Sequence, residues 1–259
     1  EAIQSTQKKS LKYTKSLINS IQSWMWNSAD VLVAQSDELN NFLIKNSKAS
    51  NHFVLFNPVR DLSKNEVSNS IITQKDYKSL YLTYMGAIGS GKYIEEIIEA
   101  VQSIDQINVE LNLCGTGSEY KNFKKKYNHK NIIWHGWLEK YELDKISDKT
   151  DFFIFGLDTR DRQSLILPSK LQTYCMYGRP IICCADGASK ALIDNNNFGI
   201  TCNKKDKYGL IDAITNASKI SEEDRVIMGR NAKHYFKNNF TKEKVADQLE
   251  ENLKKINNY

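Results

Sequence analysis

The chain runs to 259 residues, enough for one large domain or two small ones, and its 41% hydrophobic and 26% charged residues suit a folded globular protein, not a disordered one. No stretch approaches the roughly 20 consecutive apolar residues that a membrane-crossing helix requires. Lys and Arg outnumber Asp and Glu by 36 to 31, a net charge of +5, and the basic residues are spread widely, which suits anionic small molecules or an acidic membrane surface without demanding nucleic acid.

Glu1 opens the chain with neither a Met nor the regions of a signal peptide, so the sequence reads as a piece of a longer protein. Leu17, Ile18, Ile21 and Met25 fall at helical spacing beside Trp24. Upstream, Lys8, Lys9, Lys12 and Lys15 read first as a solvated helix start and second as a seat for anionic lipid. A short apolar run, Val31 to Ala34, follows Asp30. Ser36-Asp37 then supplies helix-start chemistry before Leu39, Phe42 and Leu43. A second strand is predicted over Phe53 to Phe56, ending at Asn57-Pro58. Residues 61–78 are polar and unpatterned, a linker or extended surface loop.

From residue 79 the pattern becomes regular. Leu80 to Met85 reads as a buried strand, Gly86 to Gly91 as a Gly-rich turn, and Ile94, Ile97, Ile98 and Val101 as the stripe of a helix. The strand Val109 to Leu113 meets Gly115-Thr116-Gly117 and a Lys-rich helix. Ile132 to Trp134 forms the third strand, closed by Gly136. A helix around Tyr141 to Ile146 precedes the fourth strand, Phe152 to Phe155. Pro168 opens a helix, Ile181 to Cys184 is the fifth strand and Ile200 to Cys202 the sixth. Helices follow over 207–218 and 222–237, and a last one from Thr241 carries Val245, Leu249, Leu253 and Ile256 on one face. Short continuous apolar strands separated by amphipathic helices mean a parallel sheet covered on both faces. The predicted fold is a doubly wound α/β domain of the Rossmann type. Cys114, Cys175, Cys183, Cys184 and Cys202 show no CxxC spacing, and read as buried thiols of a reducing compartment.

Open parallel sheets bind ligands beyond the carboxyl ends of their strands. The unusual residues gather there: Gly86, Gly89, Ser90, Gly91 and Lys92 after the first strand, Gly115, Thr116 and Gly117 after the second, His135, Gly136, Trp137 and Leu138 after the third. A polar loop, Asp158 to Gln163, with Arg160 and Arg162, follows the fourth and feeds Pro168-Ser169-Lys170. Glycines let backbone approach a ligand, free helix N-termini attract phosphate oxygens, and Lys92 and Lys170 add two charges. Each element alone has an ordinary structural reading: a geometric glycine, a solvated lysine or arginine, a turn histidine. Their shared placement after consecutive strands is what points to a pocket for a nucleotide diphosphate.

The order of these segments resembles the carboxyl-terminal half of GT-B glycosyltransferases, especially family 4, the retaining sugar-nucleotide-dependent enzymes of cell-surface polysaccharide synthesis. Ser28 to Ser36 looks like the family's "AD-V-I-x-x-S" strand, Asn57-Pro58-Val59 like "N-G/P-V", and Tyr84-Met85-Gly86 through Lys92 like "Y-x-G-…-K-G". Leu113 to Gly117 is similar to "I-x-G-x-G", and His135-Gly136-Trp137-Leu138 to "F-x-G-W/x-V". Pro168-Ser169-Lys170-Leu171-Gln172-Thr173-Tyr174, ending in Gly178-Arg179-Pro180-Ile181-Ile182, resembles "P-S-K-L-x-E-Y-…-G-K-P-V-I" and is the most diagnostic segment. The resemblance covers about residues 28 to 220.

It implies the tail of an acceptor domain over 1–56, a linker over 57–78, a donor-binding domain over 79–240 and a crossover helix over 241–259. It further implies that Lys92 contacts the donor diphosphate, that Ser169 and Lys170 hold the phosphates, and that Gly115 to Gly117 and Gly136 to Leu138 border the nucleobase. The donor that the resemblance implies is a nucleotide diphosphate sugar, a UDP-sugar favoured, used as substrate with no metal or other cofactor. The implied acceptor is a glycan or lipid-linked, and the expected setting is cytoplasmic with a peripheral contact at the inner membrane face, without nucleic acid; oligomeric state stays open. The sequence also departs from the family. Ala87 or Ile88 stands where a phosphate-binding Arg is common, and the two family Glu residues fall on Thr173, whose hydroxyl cannot accept from both ribose hydroxyls as a carboxylate does, and Leu165. Those departures support a rival, a catalytically silent partner subunit. A dinucleotide oxidoreductase is a weaker rival, because Asp105 lies in range but the Gly spacing is wrong.

Overall fold

Leu80, Leu82, Tyr84 and Met85 in one strand, and Phe152 to Phe155 in another, leave no face for water, so both strands must lie inside a sheet covered on two sides. The computed structural model, which describes residues 16–61, 79–157 and 161–257, places them side by side at its centre. Six parallel strands, β3 (Ser79–Met85), β4 (Asn108–Cys114), β5 (Ile132–Gly136), β6 (Phe152–Gly156), β7 (Ile181–Cys184) and β8 (Gly199–Cys202), run in the order β5-β4-β3-β6-β7-β8. Before them in the chain, a helical stretch over 16–27 (α1), β1 (Val31–Ala34), α2 (Asp37–Asn46) and β2 (Asn51–Val54) form a separate element set. The chain divides into two compact units: one joins the sequence up to Phe56 to that from Ala246 onward, and the other is Asn57–Val245.

In the first unit β1 and β2 pair in parallel, Val31 opposite Asn51. Ser36 caps α2 by accepting from the Leu39 amide at 3.0 Å, a bond whose loss from a cap costs about 1 kcal/mol. Trp26 meets Phe42 edge-on at 5.9 Å. The apolar residues of α1 read from the sequence, Leu17, Ile18, Ile21, Trp24 and Met25, are all exposed. The lysines upstream of them lie outside the described residues. The strand predicted at Phe53 to Phe56 forms two residues earlier, because Asn51 and His52 pair with Val31 and Leu32 despite their polarity.

In the second unit the helices α3 (Ile94–Gln102), α4 (Tyr120–Lys126), α5 (Lys140–Lys149), α6 (Ser169–Tyr177), α7 (Ala188–Asn196), α8 (Lys207–Lys219) and α9 (Glu222–Asn239) connect the strands, and α10 (Lys242–Asn257) leaves the unit. The predicted stripe of α3 is buried at every position, Ile94, Ile97, Ile98 and Val101. The strand order sends β3, β4 and β5 outward in one direction and β6, β7 and β8 in the other, so right-handed crossovers put helices on both faces. On one face α3 packs with α8; on the other, α6 packs with α9. Tyr174 of α6 stacks on Phe153 at 4.4 Å and edges onto Phe155, fixing α6 over β6. All five cysteines are buried and unpaired.

Two details depart from the sequence reading. The helix α7 was not expected: its Asp-Asn-Asn stretch hides an amphipathic turn in which Ala188, Ser189 and Ile193 are buried. Pro168 precedes α6 as its N-cap, in extended conformation, and is not its first helical residue. Of the segment read as a linker, residues 62–78 lie outside the described residues, and Val59 forms a bridge to Thr241 while donating to the Phe240 carbonyl at 2.8 Å.

The amino edge of the sheet is closed by a satisfied ion pair. Asp151, almost fully buried, accepts from the Tyr81 amide at 2.9 Å and from Arg225 Nη1 at 2.7 Å, while Arg225 Nε donates to the Ile220 carbonyl. One carboxylate thus ties β3 to the start of α9. Removing one partner of a buried pair leaves an uncompensated charge. Arg225→Met is therefore expected to lower the unfolding free energy by about 3–5 kcal/mol in urea denaturation; a loss below 1 kcal/mol would show that the pair contributes no more than a surface salt bridge.

Candidate functional site

The strand order reverses between β3 and β6, so the connections leaving these strands diverge and open a crevice at the carboxyl edge. A cavity of about 630 Å3 lies beside it, over the ends of β3 and β4 and under the first turns of α5 and α6. Of the residues predicted from sequence, Gly86, Lys92, Gly115, Thr116, Trp137, Leu138, Ser169, Lys170 and Thr173 line it. Gly89, Ser90, Gly91, Gly117 and Gly136 do not. The loop residues 158–160, Arg160 among them, lie outside the described residues, as does the side chain of Arg162.

The glycines include two with the geometric role that the sequence reading set beside the functional one. Gly115, at φ +137°, passes directly over the first turn: a methyl group there would sit on the Gly86 carbonyl oxygen, well inside van der Waals contact. Gly117 meets the Ile88 carbonyl in the same way. Backbone bonds lock the layers, Gly86 N to the Cys114 carbonyl at 2.9 Å, Gly115 N to the Gly136 carbonyl at 2.7 Å and Ile88 N to the Thr116 carbonyl at 2.9 Å. Three consecutive strand ends are thereby held as one floor.

Above that floor sits Lys170, in the first turn of α6. Its ammonium donates to the Tyr84 hydroxyl at 2.6 Å and lies 4.1 Å from the centre of the Tyr84 ring. Tyr84 is completely buried and its own hydroxyl proton goes to the Ala87 carbonyl at 2.8 Å. Met85 exchanges both backbone groups with the Tyr174 hydroxyl, at 2.9 and 3.2 Å, joining the same strand end to α6. Burial, and then the like charge of Lys92, push Lys170 down to about 7. Among the described residues no carboxylate pairs with Lys170 or Lys92. Pro168 at the N-cap supplies no side-chain bond to the first amides of α6, and the positive dipole end of that helix adds to the two lysines.

The remaining walls are mixed. Trp137 is 75% exposed at the rim. Glu139 enters from the start of α5, where its carboxylate also caps that helix by accepting from the Glu142 amide. Burial pushes the Cys114 thiol up to about 12, which keeps it protonated and unreactive. Thr173 spends its hydroxyl proton on the Ser169 carbonyl at 3.2 Å. His135 does not reach the cavity: its Nε2 shares a 2.6 Å bond with Asn112 Oδ1, and burial lowers its pKa, so it belongs to a polar strand network with Glu110. Among the described residues no cluster suited to a metal ion occurs.

Glu139, Lys140, Leu143, Met176 and Tyr177 are cavity residues that the sequence reading passed over, and Tyr84, which does not line the cavity, joins the site through its bond to Lys170. Two signals were available. A tyrosine in an otherwise apolar buried strand needs a partner for its hydroxyl, and residues 169, 170, 173, 176 and 177 follow the spacing of one helix face.

Known proteins resemble this chain in sequence pattern and in fold. The family model described as glycosyl transferases group 1 matches residues 68–235. No curated protein sequence matches. Among solved structures, HepE of Anabaena, in complex with UDP, superposes with a TM-score of 0.69 at 14% identity, over 88% of this chain and 64% of its own. The sucrose-phosphate synthase of Thermosynechococcus elongatus gives 0.72 at 15% identity, over 92% and 61%. WaaG, a glycosyltransferase involved in lipopolysaccharide biosynthesis, gives 0.60 at 15% identity, over 80% and 58%. The chain thus spans less than two thirds of the length of these structures. The shared element is the fold, a Rossmann-like parallel sheet of the GT-B kind.

The unpaired Lys170 makes a prediction about stability. Its pKa is about 7 in the fold and about 10.4 in an unfolded chain. The folded state therefore binds fewer protons between these values, and its stability rises with pH across that window. Below pH 7 the penalty is fully present. Lys170→Met is expected to raise the unfolding free energy at pH 6, on the order of 2 kcal/mol, with the gain shrinking toward pH 10. A variant less stable than the native chain at pH 6 would contradict this.

Proposed function

This chain belongs to the glycosyl transferases group 1 family, and we propose that it is the donor-binding half of a family 4-like, retaining transferase, completed by an acceptor domain of which residues 1–56 are the tail. The reaction moves a sugar from a nucleotide diphosphate sugar, a UDP-sugar favoured, to a lipid-linked or polysaccharide acceptor at the cytoplasmic face of a membrane. The observation that carries this reading is the pair of lysines, without carboxylate partners among the described residues, beside the Pro168-led N-terminus of α6, all lining one cavity at the carboxyl ends of β3 and β4. A diphosphate carries the negative charge that two such lysines favour. HepE, of similar fold, is described in complex with UDP and with UDP-glucose, which supports the choice of base.

In this reading Lys92, Lys170 and the Ser169 end of α6 grip the diphosphate. As the sugar–phosphate bond breaks, negative charge builds on the departing nucleotide, and groups already aimed at that position stabilise it without further reorganisation. Trp137 and Leu138 border the base, and Thr173 faces the ribose in place of the family's Glu.

A second reading has its own observation. The Thr173 hydroxyl is already engaged with the Ser169 carbonyl, leaving no carboxylate at the ribose position; this favours a silent GT-B-like partner subunit. Calorimetric titration with UDP, GDP and UDP-glucose separates the two. The donor reading expects one nucleotide to bind, and Lys92→Ala and Lys170→Ala each to weaken it about tenfold or more, or about 1.4 kcal/mol. No binding at millimolar concentration would transfer the argument to the silent subunit.

A further inference from the structure

Tyr84 is assigned no role by the family resemblance, yet its geometry is specific. A completely buried phenol receives a 2.6 Å hydrogen bond from the Lys170 amine and passes its own proton to the Ala87 carbonyl. The hydroxyl therefore has a fixed polarity: with its proton committed to Ala87, it can only accept from Lys170. It also fixes direction, because the ring cannot move within β3. We propose that Tyr84 is a positioning residue of the donor site, holding the Lys170 amine toward the phosphates, and that donor binding is coupled to uptake of one proton on that amine. The inference rests on the donor reading above and adds its regulation by pH.

The groups around Lys170 fix the sign of the coupling. Lys92 faces it from the turn before α3, Tyr84 from β3 and Cys114 from β4; Glu139 and Lys140 line the cavity from α5, and Tyr177 from α6 itself. Cys114 and Tyr84 stay neutral, their pKa values raised by burial, and Tyr177 likewise, by burial and by Asp144. Glu139 is engaged at the α5 N-terminus and Lys140 in an ion pair with Asp144 at 2.6 Å. Burial and the Lys92 charge remain as the forces on the empty-site amine. Near neutral pH a large share of the free chain therefore holds Lys170 as the uncharged amine. An arriving diphosphate reverses the balance, and the amine takes a proton from solvent to become its counter-ion.

UDP-glucose is the suitable probe, because its doubly esterified diphosphate does not itself titrate near neutrality, and a GDP-sugar serves as the second donor. Titrations between pH 6 and 9, in buffers of differing ionisation enthalpy, count the protons directly. The expectation is uptake of about 0.9 proton per donor bound at pH 8 and about 0.1 at pH 6, with affinity falling toward tenfold per pH unit above the break. Tyr84→Phe keeps the ring and removes the acceptor, so the break moves to lower pH. Lys92→Ala weakens binding at every pH but moves the break upward, and Lys170→Met abolishes it. A merely structural tyrosine would leave the break in place. Binding to the native chain with no proton uptake, or a Tyr84→Phe break unmoved, overturns the inference and leaves the donor reading standing. Failure of both sugar nucleotides to bind at any pH overturns the donor reading and this inference with it.

Discussion

The half-buried ammonium of Lys170 has a phenol for company and no anion among the described residues. A charge in that position weakens the empty fold, because burial strips its water without supplying a counter-ion. The arrangement persists because α6 is anchored independently of it. Tyr174 stacks on Phe153 and bonds both backbone groups of Met85, so the helix start is set by its core side and the lysine must go where the helix puts it. The position of the Lys170 amine is thus set by hydrophobic packing on the core side of α6.

The two edges of the sheet show opposite electrostatics. At the amino edge Asp151 is answered by Arg225 and a backbone amide. At the carboxyl edge two lysines share a cavity. The same strands span both, so the rigidity supplied at one end is delivered to the other. Gly115 and Gly117 complete the link, since only a residue without Cβ lets the second turn rest on the first.

The parallel, doubly covered sheet was legible because its strands are uninterrupted apolar runs and the stripe of α3 is unambiguous. Family membership was legible in the Pro168 to Thr173 segment. What escaped were features fixed by distance in space. The partner of Lys170 lies 86 positions away, in a strand read as core and as the start of a motif, with no role given to its hydroxyl. The helix α7 escaped because three consecutive asparagines mask its single buried turn. The glycines after β4 carry two readings in sequence, room for a ligand and turn geometry, and the space beside Gly115 and Gly117 is filled by a neighbouring turn. Composition carries no trace of which of these uses a glycine serves.

The bridge between Val59 and Thr241 has a topological consequence. Entry to and exit from the second unit run side by side, so Asn57–Val245 is an insert whose two ends already touch. Such a unit needs no long connector to close its own chain, and the backbone bond from Val59 to the Phe240 carbonyl helps hold its ends together. Ends that lie this close are the geometry that domain insertion and circular permutation require.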